Sequence, residues 1–226
     1  MGKNGGALQG LTCDAAAFAA IDFESSGASG EPVQIGMAVM EAGRLNESSF
    51  FRSYLAVDGR IDPRAAAVHG IDSAHLDGAP RLHLLWPEVE ERLRGRAVVA
   101  HGGGTERRYL RAFPLHGFGP WVDTLLVARA IHPGLKSYAL GDLARHFGIE
   151  SAILGIHPEF RWHDALCDAV ASLVLLRTLI TEAGIGSLSA EILLRPDLRA
   201  YARRRPNAII EPRSPASGGT PAPRQW

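Results

Sequence analysis

The sequence predicts an α/β domain with a mixed β-sheet and helices on both faces, and three observations carry that prediction. Strand-like apolar runs fill the region between residues 19 and 57. Short strand-like and helix-like segments then alternate from 84 to 147, and the longest helical pattern closes the regular region at 164–181. A meander followed by strand–helix alternation calls for antiparallel pairing in one part of a sheet and parallel pairing in the other.

The elements follow in order. Residues 19–27, Ala-Ala-Ile-Asp-Phe-Glu-Ser-Ser-Gly, form an apolar run broken by two carboxylates and closed by a turn signal. Strand side chains alternate, so Asp22 and Glu24 share one face while Ile21 and Phe23 point to a core on the other. Residues 32–40 and 49–57 read as two further strands, joined through 41–44 and a few following residues. Asp62-Pro63 opens a short helical or turn segment through Ala67, after which Val68-His69-Gly70-Ile71 leaves His69 in a loop. Leu84, Leu85, Val89 and Leu93 have the spacing of an amphipathic helix. The buried-strand pattern Ala97-Val98-Val99-Ala100 follows, then His101-Gly102-Gly103-Gly104, with Thr105 as helix N-cap and Glu106 in the first turn. That turn lacks the Gly-Lys-Ser/Thr of a phosphate-binding P-loop and the spaced glycines of a dinucleotide fingerprint. Trp121 to Thr124 reads as a strand, 125–131 as a helix ended by Pro133-Gly134, and 140–147 as a helix stopped at Gly148. Residues 150–162 read as a polar, aromatic loop before the last helix.

Composition bounds the remainder. With 226 residues, 46% of them hydrophobic, the chain can bury one sizeable core. The 24 basic and 24 acidic residues cancel, so a nucleic-acid partner has to be held by a local basic surface and by metal. Cys13 and Cys167 lie far apart without a CxxC spacing, which suggests neither a disulfide framework nor a zinc site and points to a reducing cytoplasm. Residues 1–10 have no apolar core of a signal peptide, and no run approaches the ~20 apolar residues of a membrane span. The expected organisation is a flexible lead-in over 1–14, one domain over 15–184, a helical extension over 185–210 rich in arginine, and a disordered Pro/Ser/Gly tail over 211–226.

Two like charges as close as Asp22 and Glu24 call for a cation, most simply magnesium or manganese. Asp168 sits among Cys167, Ala169 and Val170 in an apolar helix, where a lone carboxylate is costly and a metal compensates it. His163 lies five residues earlier, about 140° around a helix, so it can meet Asp168 only from a loop before the helix. Asp164 as N-cap permits that.

These motifs in series resemble the DnaQ-like exonucleases, the DEDDh group that includes the proofreading subunit of bacterial replicative DNA polymerase. The family's Asp-x-Glu-Thr-Thr/Ser-Gly is similar to Asp22-Phe23-Glu24-Ser25-Ser26-Gly27, its Ile-Gly strand to Ile35-Gly36, and its His-Gly-Ile to His69-Gly70-Ile71. Its His-Asn-Ala-x-Phe-Asp is matched in part by His101 to Glu106, its Asp-Thr-Leu by Asp123-Thr124-Leu125, and its His-x-Ala-x-x-Asp-Ala by His163 to Ala169. The resemblance spans roughly residues 16–182 and implies an RNase H-like, mixed five-stranded sheet flanked by helices. It also implies 3′-5′ hydrolysis of nucleic-acid ends with two Mg²⁺ or Mn²⁺ ions and release of 5′-monophosphates. In that scheme Asp22 bridges both ions, Glu24 and Asp168 complete the first site, and Glu106 serves the second. His163 is the general base, since an imidazole ordinarily titrates near ~6.5. The backbone around Phe23, Ser25, Ser26 and His69 holds the terminal nucleotide, His101 stands behind the carboxylates, and Asp123 braces the site. The implied partners are single-stranded DNA or RNA 3′ ends, with a DNA polymerase as a further candidate. Glu106 stands where the family has aspartate, and Gly102 and Thr105 replace asparagine and phenylalanine. This altered motif motivates the alternative of a nucleic-acid-binding module with weak or lost hydrolysis.

Overall fold

A computed structural model describes residues 6–28, 30–157 and 159–197. Five strands form one sheet in the order β3-β2-β1-β4-β5: β1 (Ala17–Ser25), β2 (Pro32–Glu41), β3 (Arg44–Tyr54), β4 (Ala97–Ala100) and β5 (Trp121–Asp123). β1 pairs antiparallel with β2 and β2 with β3, whereas β4 joins β1, and β5 joins β4, in parallel. This is the mixed sheet expected from the sequence. The helices are α1 (Pro63–His69), α2 (Trp86–Leu93), α3 (Gly104–Tyr109), α4 (Thr124–Ile131), α5 (Leu140–His146), α6 (Glu150–Ile156) and α7 (Ala165–Ala183). Among the described residues no helix is long and apolar enough to cross a membrane.

Strand alternation divides the core in two. Phe18 and Ala20 of β1, with Ala38 and Met40 of β2, pack under α4, α5, α6 and α7. Ala19, Ile21 and Phe23, with Ile35, Met37 and Val39, face α2 and the region of Tyr109 to Phe118. The face that carries Phe18 and Ala20 continues into Asp22 and Glu24, so the carboxylates emerge where the apolar packing under α7 ends.

The register of β1 and β2 explains how α7 reaches them. Asp22 pairs with Gly36 and Glu24 with Gln34, which puts both β2 residues on the carboxylate face. A Cβ on Gly36 would lie 2.0 Å from the Ala165 carbonyl carbon and the Leu166 nitrogen, so the start of α7 rests on bare strand backbone. Gln34 receives the helix: its Oε1 accepts from Ala165 N at 2.8 Å and its Nε2 donates to Asp164 Oδ2 at 3.2 Å. Replacing Gly36 by alanine is therefore expected to destabilise the fold by about 1–3 kcal/mol or more through overpacking, read as a lower urea midpoint. An unchanged midpoint would show that α7 does not depend on this close approach.

Several boundaries differ from the sequence expectation. β3 begins at Arg44 and ends at Tyr54, not at 49–57, because Ala42 (φ 48°) and Gly43 (φ 72°) close a two-residue hairpin of left-handed residues. α3 starts from Gly103, which has no side-chain cap, so Thr105 lies inside the helix rather than capping it. Residues 150–156 form α6 instead of loop, held by Ile153, fully buried against the α7 core. His69 ends α1 and is buried, not placed in a loop, since Gly70 supplies the left-handed C-cap (φ 70°). Residues 6–14 have fixed partners: Leu8 is fully buried, and Cys13 N and Asp14 N donate to Leu188 O and Gly186 O, each at 2.9 Å. Most of the arginine-rich segment and all of the 211–226 tail lie outside the described residues.

Candidate active site

Acidic groups from three separate segments meet at the end of β1. Glu24, His163 and Asp168 each offer a ligating atom, and these atoms lie within 4.8 Å of one another. Asp22 stands outside that tight set yet is electrostatically part of it. Burial first, and then the charges of Asp168, Glu106, Glu24 and Asp164, hold its carboxyl well above the usual carboxylate range. Burial also pushes Glu24 up to about 7, with Asp164 adding to the shift and Arg161 opposing it. Asp168 is raised to about 7 by burial and the Glu24 charge, against a hydrogen bond from the backbone of His163. Glu106, on α3, is raised to about 7 mainly by burial, with Arg107 and Arg108 opposing. Asp22, Glu24, Glu106 and Asp168 thus share a space that disfavours their charges.

Two of their oxygens have no partner. Glu106 Oε2 and Asp168 Oδ1 are buried without any hydrogen bond. Orphaned buried carboxylate oxygens are costly, and a hard divalent cation satisfies oxygen donors while removing the repulsion. The donor set of carboxylates and one imidazole fits such an ion. The Cys167 thiol beside Asp168 is pushed up to about 12 by burial and serves as packing, not as a nucleophile.

Asp164, fully buried, behaves differently because all its lone pairs are used. Oδ1 accepts from Leu166 N at 3.2 Å and Cys167 N at 3.3 Å, capping α7, while Oδ2 accepts from Gln34 Nε2 at 3.2 Å and Arg52 Nη1 at 2.9 Å. This hub ties β2, β3 and α7 together. His163 precedes it in a left-handed conformation (φ 62°), uncommon for a non-glycine residue, and its N–H donates to Asp168 Oδ2 at 3.2 Å. Its imidazole therefore approaches Glu24 and Asp168 from the turn before the helix, the route the spacing requires. The residue is exposed to solvent.

The remaining expected site residues brace the site. His69 Nδ1 accepts from Ile71 N at 3.0 Å, so its Nε2 carries the proton and donates to Ser25 O at 3.1 Å. Both nitrogens are engaged, burial lowers its pKa, and the ring fixes the end of β1. His101 is likewise held on both sides, by Thr124 Oγ1 and Tyr138 O, each at 2.8 Å. Ser26 Oγ accepts from Glu31 N at 2.9 Å, and Ser25 Oγ donates to Gly27 O at 3.0 Å. The Phe23 ring is buried edge-on against Tyr109, with centroids 5.2 Å apart, leaving only its backbone toward the site. Asp123 Oδ1 accepts from Gly102 N and Leu125 N, both at 3.0 Å, fixing the glycine turn before α3 to the start of α4.

The sequence reading missed Gln34, Gly36 as a docking point, and Arg52. A signal for the first two was present: a lone amide two residues from a glycine in an otherwise apolar strand, on the face of Asp22 and Glu24. Arg52 has no such signal.

The raised carboxyls predict the pH dependence of the metal-free protein. The unfolded chain loses these protons near ordinary carboxylate values and the folded chain only near 7, so between those values the folded state binds more protons and stability falls as pH rises. The melting temperature is expected to be lower at pH 8 than at pH 5.5, by about 2–4 °C for each kcal/mol lost, and Mn²⁺ is expected to recover more at pH 8 than at pH 5.5. A melting temperature that is flat with pH and unmoved by Mn²⁺ would contradict this electrostatic picture.

Fold and site together define a nuclease of RNase H-like architecture. The profile of the RNase_T exonuclease family matches residues 19–176. The chain is 29% identical over 178 residues to the DNA polymerase III subunit epsilon of Aquifex aeolicus, an alignment covering 75% of this chain and 85% of that protein. It is 28% identical over 185 residues to the PolC-type DNA polymerase III of Thermotoga petrophila, covering 77% of this chain but only 13% of that much longer protein. Among solved structures, exonuclease X in complex with 5′ overhanging duplex DNA superposes with a TM-score of 0.65 at 23% identity, covering 78% of this chain and 99% of that one. The chain belongs to the RNase_T exonuclease family, as a DnaQ-like 3′-5′ exonuclease of the DEDDh type and hence a hydrolase.

Proposed function

We infer that the protein removes nucleotides one at a time from nucleic-acid 3′ ends, releasing nucleoside 5′-monophosphates, with two Mg²⁺ or Mn²⁺ ions at the carboxylate cluster. The observation that carries this is the convergence of Glu24, His163 and Asp168, whose ligating atoms lie within 4.8 Å of one another, together with the orphaned oxygens of Asp168 and Glu106 and the half-buried Asp22 that their charges press on. Asp22, Glu24 and Asp168 would hold one ion, and Asp22 together with Glu106, the latter through a water, the other. A bound pair of such ions supplies charge neutralisation at the phosphate, a more acidic water and stabilisation of the leaving 3′ oxygen. His163 takes the proton of the attacking water, and its turn keeps the imidazole beside Glu24 and Asp168 where that water must sit. The backbone of residues 23–26, pinned by His69, presents the surface for the terminal nucleotide.

DNA is the substrate this reading favours, because one relative is a DNA polymerase subunit and a structural neighbour was solved on DNA. The deciding experiment follows 5′-labelled single-stranded DNA, duplex ends and short RNA with Mg²⁺ or Mn²⁺. A ladder shortening from the 3′ end is expected, fastest on DNA. Oligonucleotide retained but never shortened, with either metal, would replace the reading by that of a binding module.

Glu106, a methylene longer than the family's aspartate, reaches the cluster from a helix that starts on Gly103 without a side-chain cap. Glu106→Gln is expected to weaken Mg²⁺ dependence or turnover about 10- to 100-fold, the range for a group acting on an ion from its periphery. Unaltered Mg²⁺ titration of turnover would remove Glu106 from the machinery.

A further inference from the structure

A second concavity adjoins the catalytic groups on the side of α5. It is a cleft of about 530 Å³ whose walls include Leu140, Gly141, Glu150, Trp162, His163 and Asp168. The terminal nucleotide is assigned above to the backbone of residues 23–26 beside His69, none of which lines this cleft, so apart from His163 and Asp168 its walls have no part in the proposed function. Trp162 directly precedes His163 and is half-buried. Its ring is fixed on two sides. A Cβ placed on Gly141 would lie 3.5–3.7 Å from the indole carbons, so α5 passes across the ring at van der Waals distance. The Phe160 ring meets it edge-on, 4.6 Å between centroids at 87°. The indole is thus oriented by packing before any ligand arrives.

The charges in the cleft select what can enter. Asp142 is neutralised by Arg145 and receives Ser137 Oγ at 2.5 Å, leaving Glu150 and Asp168 as the carboxylates facing the space. An anionic phosphate is repelled there except where metal ions at Asp168 neutralise it. A neutral flat heterocycle is not, and an exocyclic amine can donate to Glu150.

We propose that Trp162 is a stacking platform for a nucleobase, that of the nucleotide just upstream of the scissile bond, with the scissile phosphate on its 3′ side held at the metal-bearing carboxylate cluster. The proposal rests on the exonuclease reading. It assigns Trp162 a binding role distinct from that of its neighbour His163, and it requires the second base to be unpaired in the productive complex, since a base stacked in the cleft is out of its duplex.

The test is a cycle that pairs Trp162→Ala with thymidine oligonucleotides carrying a single abasic residue at each of the first few positions from the 3′ end, scored by kcat/KM with Mg²⁺. Loss of one base–aromatic stack corresponds to about a 5- to 150-fold decrease. Trp162→Ala on intact substrate and wild type on the substrate abasic at the second position are each expected to show it, chiefly in KM, and their combination is expected to lose no more than either alone. Losses that multiply at every position, or a Trp162→Ala enzyme with unchanged KM, would overturn the platform. Should the alanine variant not fold, Trp162→Leu, which keeps apolar contact with Gly141 and Phe160 but has no π-face, carries the same expectation. Wild-type protein that degrades no oligonucleotide would sink the exonuclease reading and this site with it, whereas degradation without coupling sinks the platform alone.

Discussion

Asp168→Asn is expected to lower turnover about 10³-fold while making the metal-free protein more heat-stable at pH 8. The two effects share one cause. Asp168 is raised to about 7 by burial and by Glu24, and one of its oxygens has no partner, so the folded apo state tolerates its negative charge poorly. The amide removes the charge and relieves Glu24 and Asp22. It also removes an anionic oxygen from the metal site, and the several kcal/mol that metal-borne charge stabilisation is worth correspond to about 10³-fold in rate. Release of mononucleotide from a 3′-end-labelled oligonucleotide, together with a thermal melt without metal, checks both parts. Undiminished release would reject the site, and a lower melting temperature would show Asp168 to be a structural group whose carboxylate holds the fold together. Asp22→Asn is expected to follow the same pattern.

His163→Ala is expected to lower kcat by about 10²- to 10⁴-fold, the usual worth of a general base, with the fold intact. The side chain is exposed and its only intramolecular tie to Asp168 is through the backbone N–H, which alanine retains, so little packing is lost. Because the imidazole lies within 4.8 Å of ligating oxygens of Glu24 and Asp168, a role as metal ligand has to be separated from one as base. The Mn²⁺-induced rise in melting temperature makes that separation. It is expected to survive in His163→Ala although kcat falls. Loss of the Mn²⁺ effect would reassign His163 as a ligand.

Much of this site was legible from residue order. Period-two alternation put Asp22 and Glu24 on one face, and the five-residue gap between His163 and Asp168 required the histidine to approach from a turn, as the structure has it. Errors fell where short-range chemistry decides: the Ala42-Gly43 hairpin lengthened β3 toward its start, and Gly70 carried α1 through His69. The roles of His69 and His101 were open to misreading for another reason. A histidine's function depends on what its two nitrogens meet, and for both residues the partners are backbone or hydroxyl groups, some of them tens of residues away.

By itself the sequence determined the kinds of groups available, their spacing along strand and helix, and the family whose pattern they follow. Only the tertiary structure decided that they converge. A glycine at position 36, opposite Asp22, leaves no side chain between β2 and the start of α7, and Gln34, Arg52 and Asp164 lock the helix there. Convergence depends on backbone distances of a few ångströms between segments more than a hundred residues apart, set by packing and register, which no local pattern encodes.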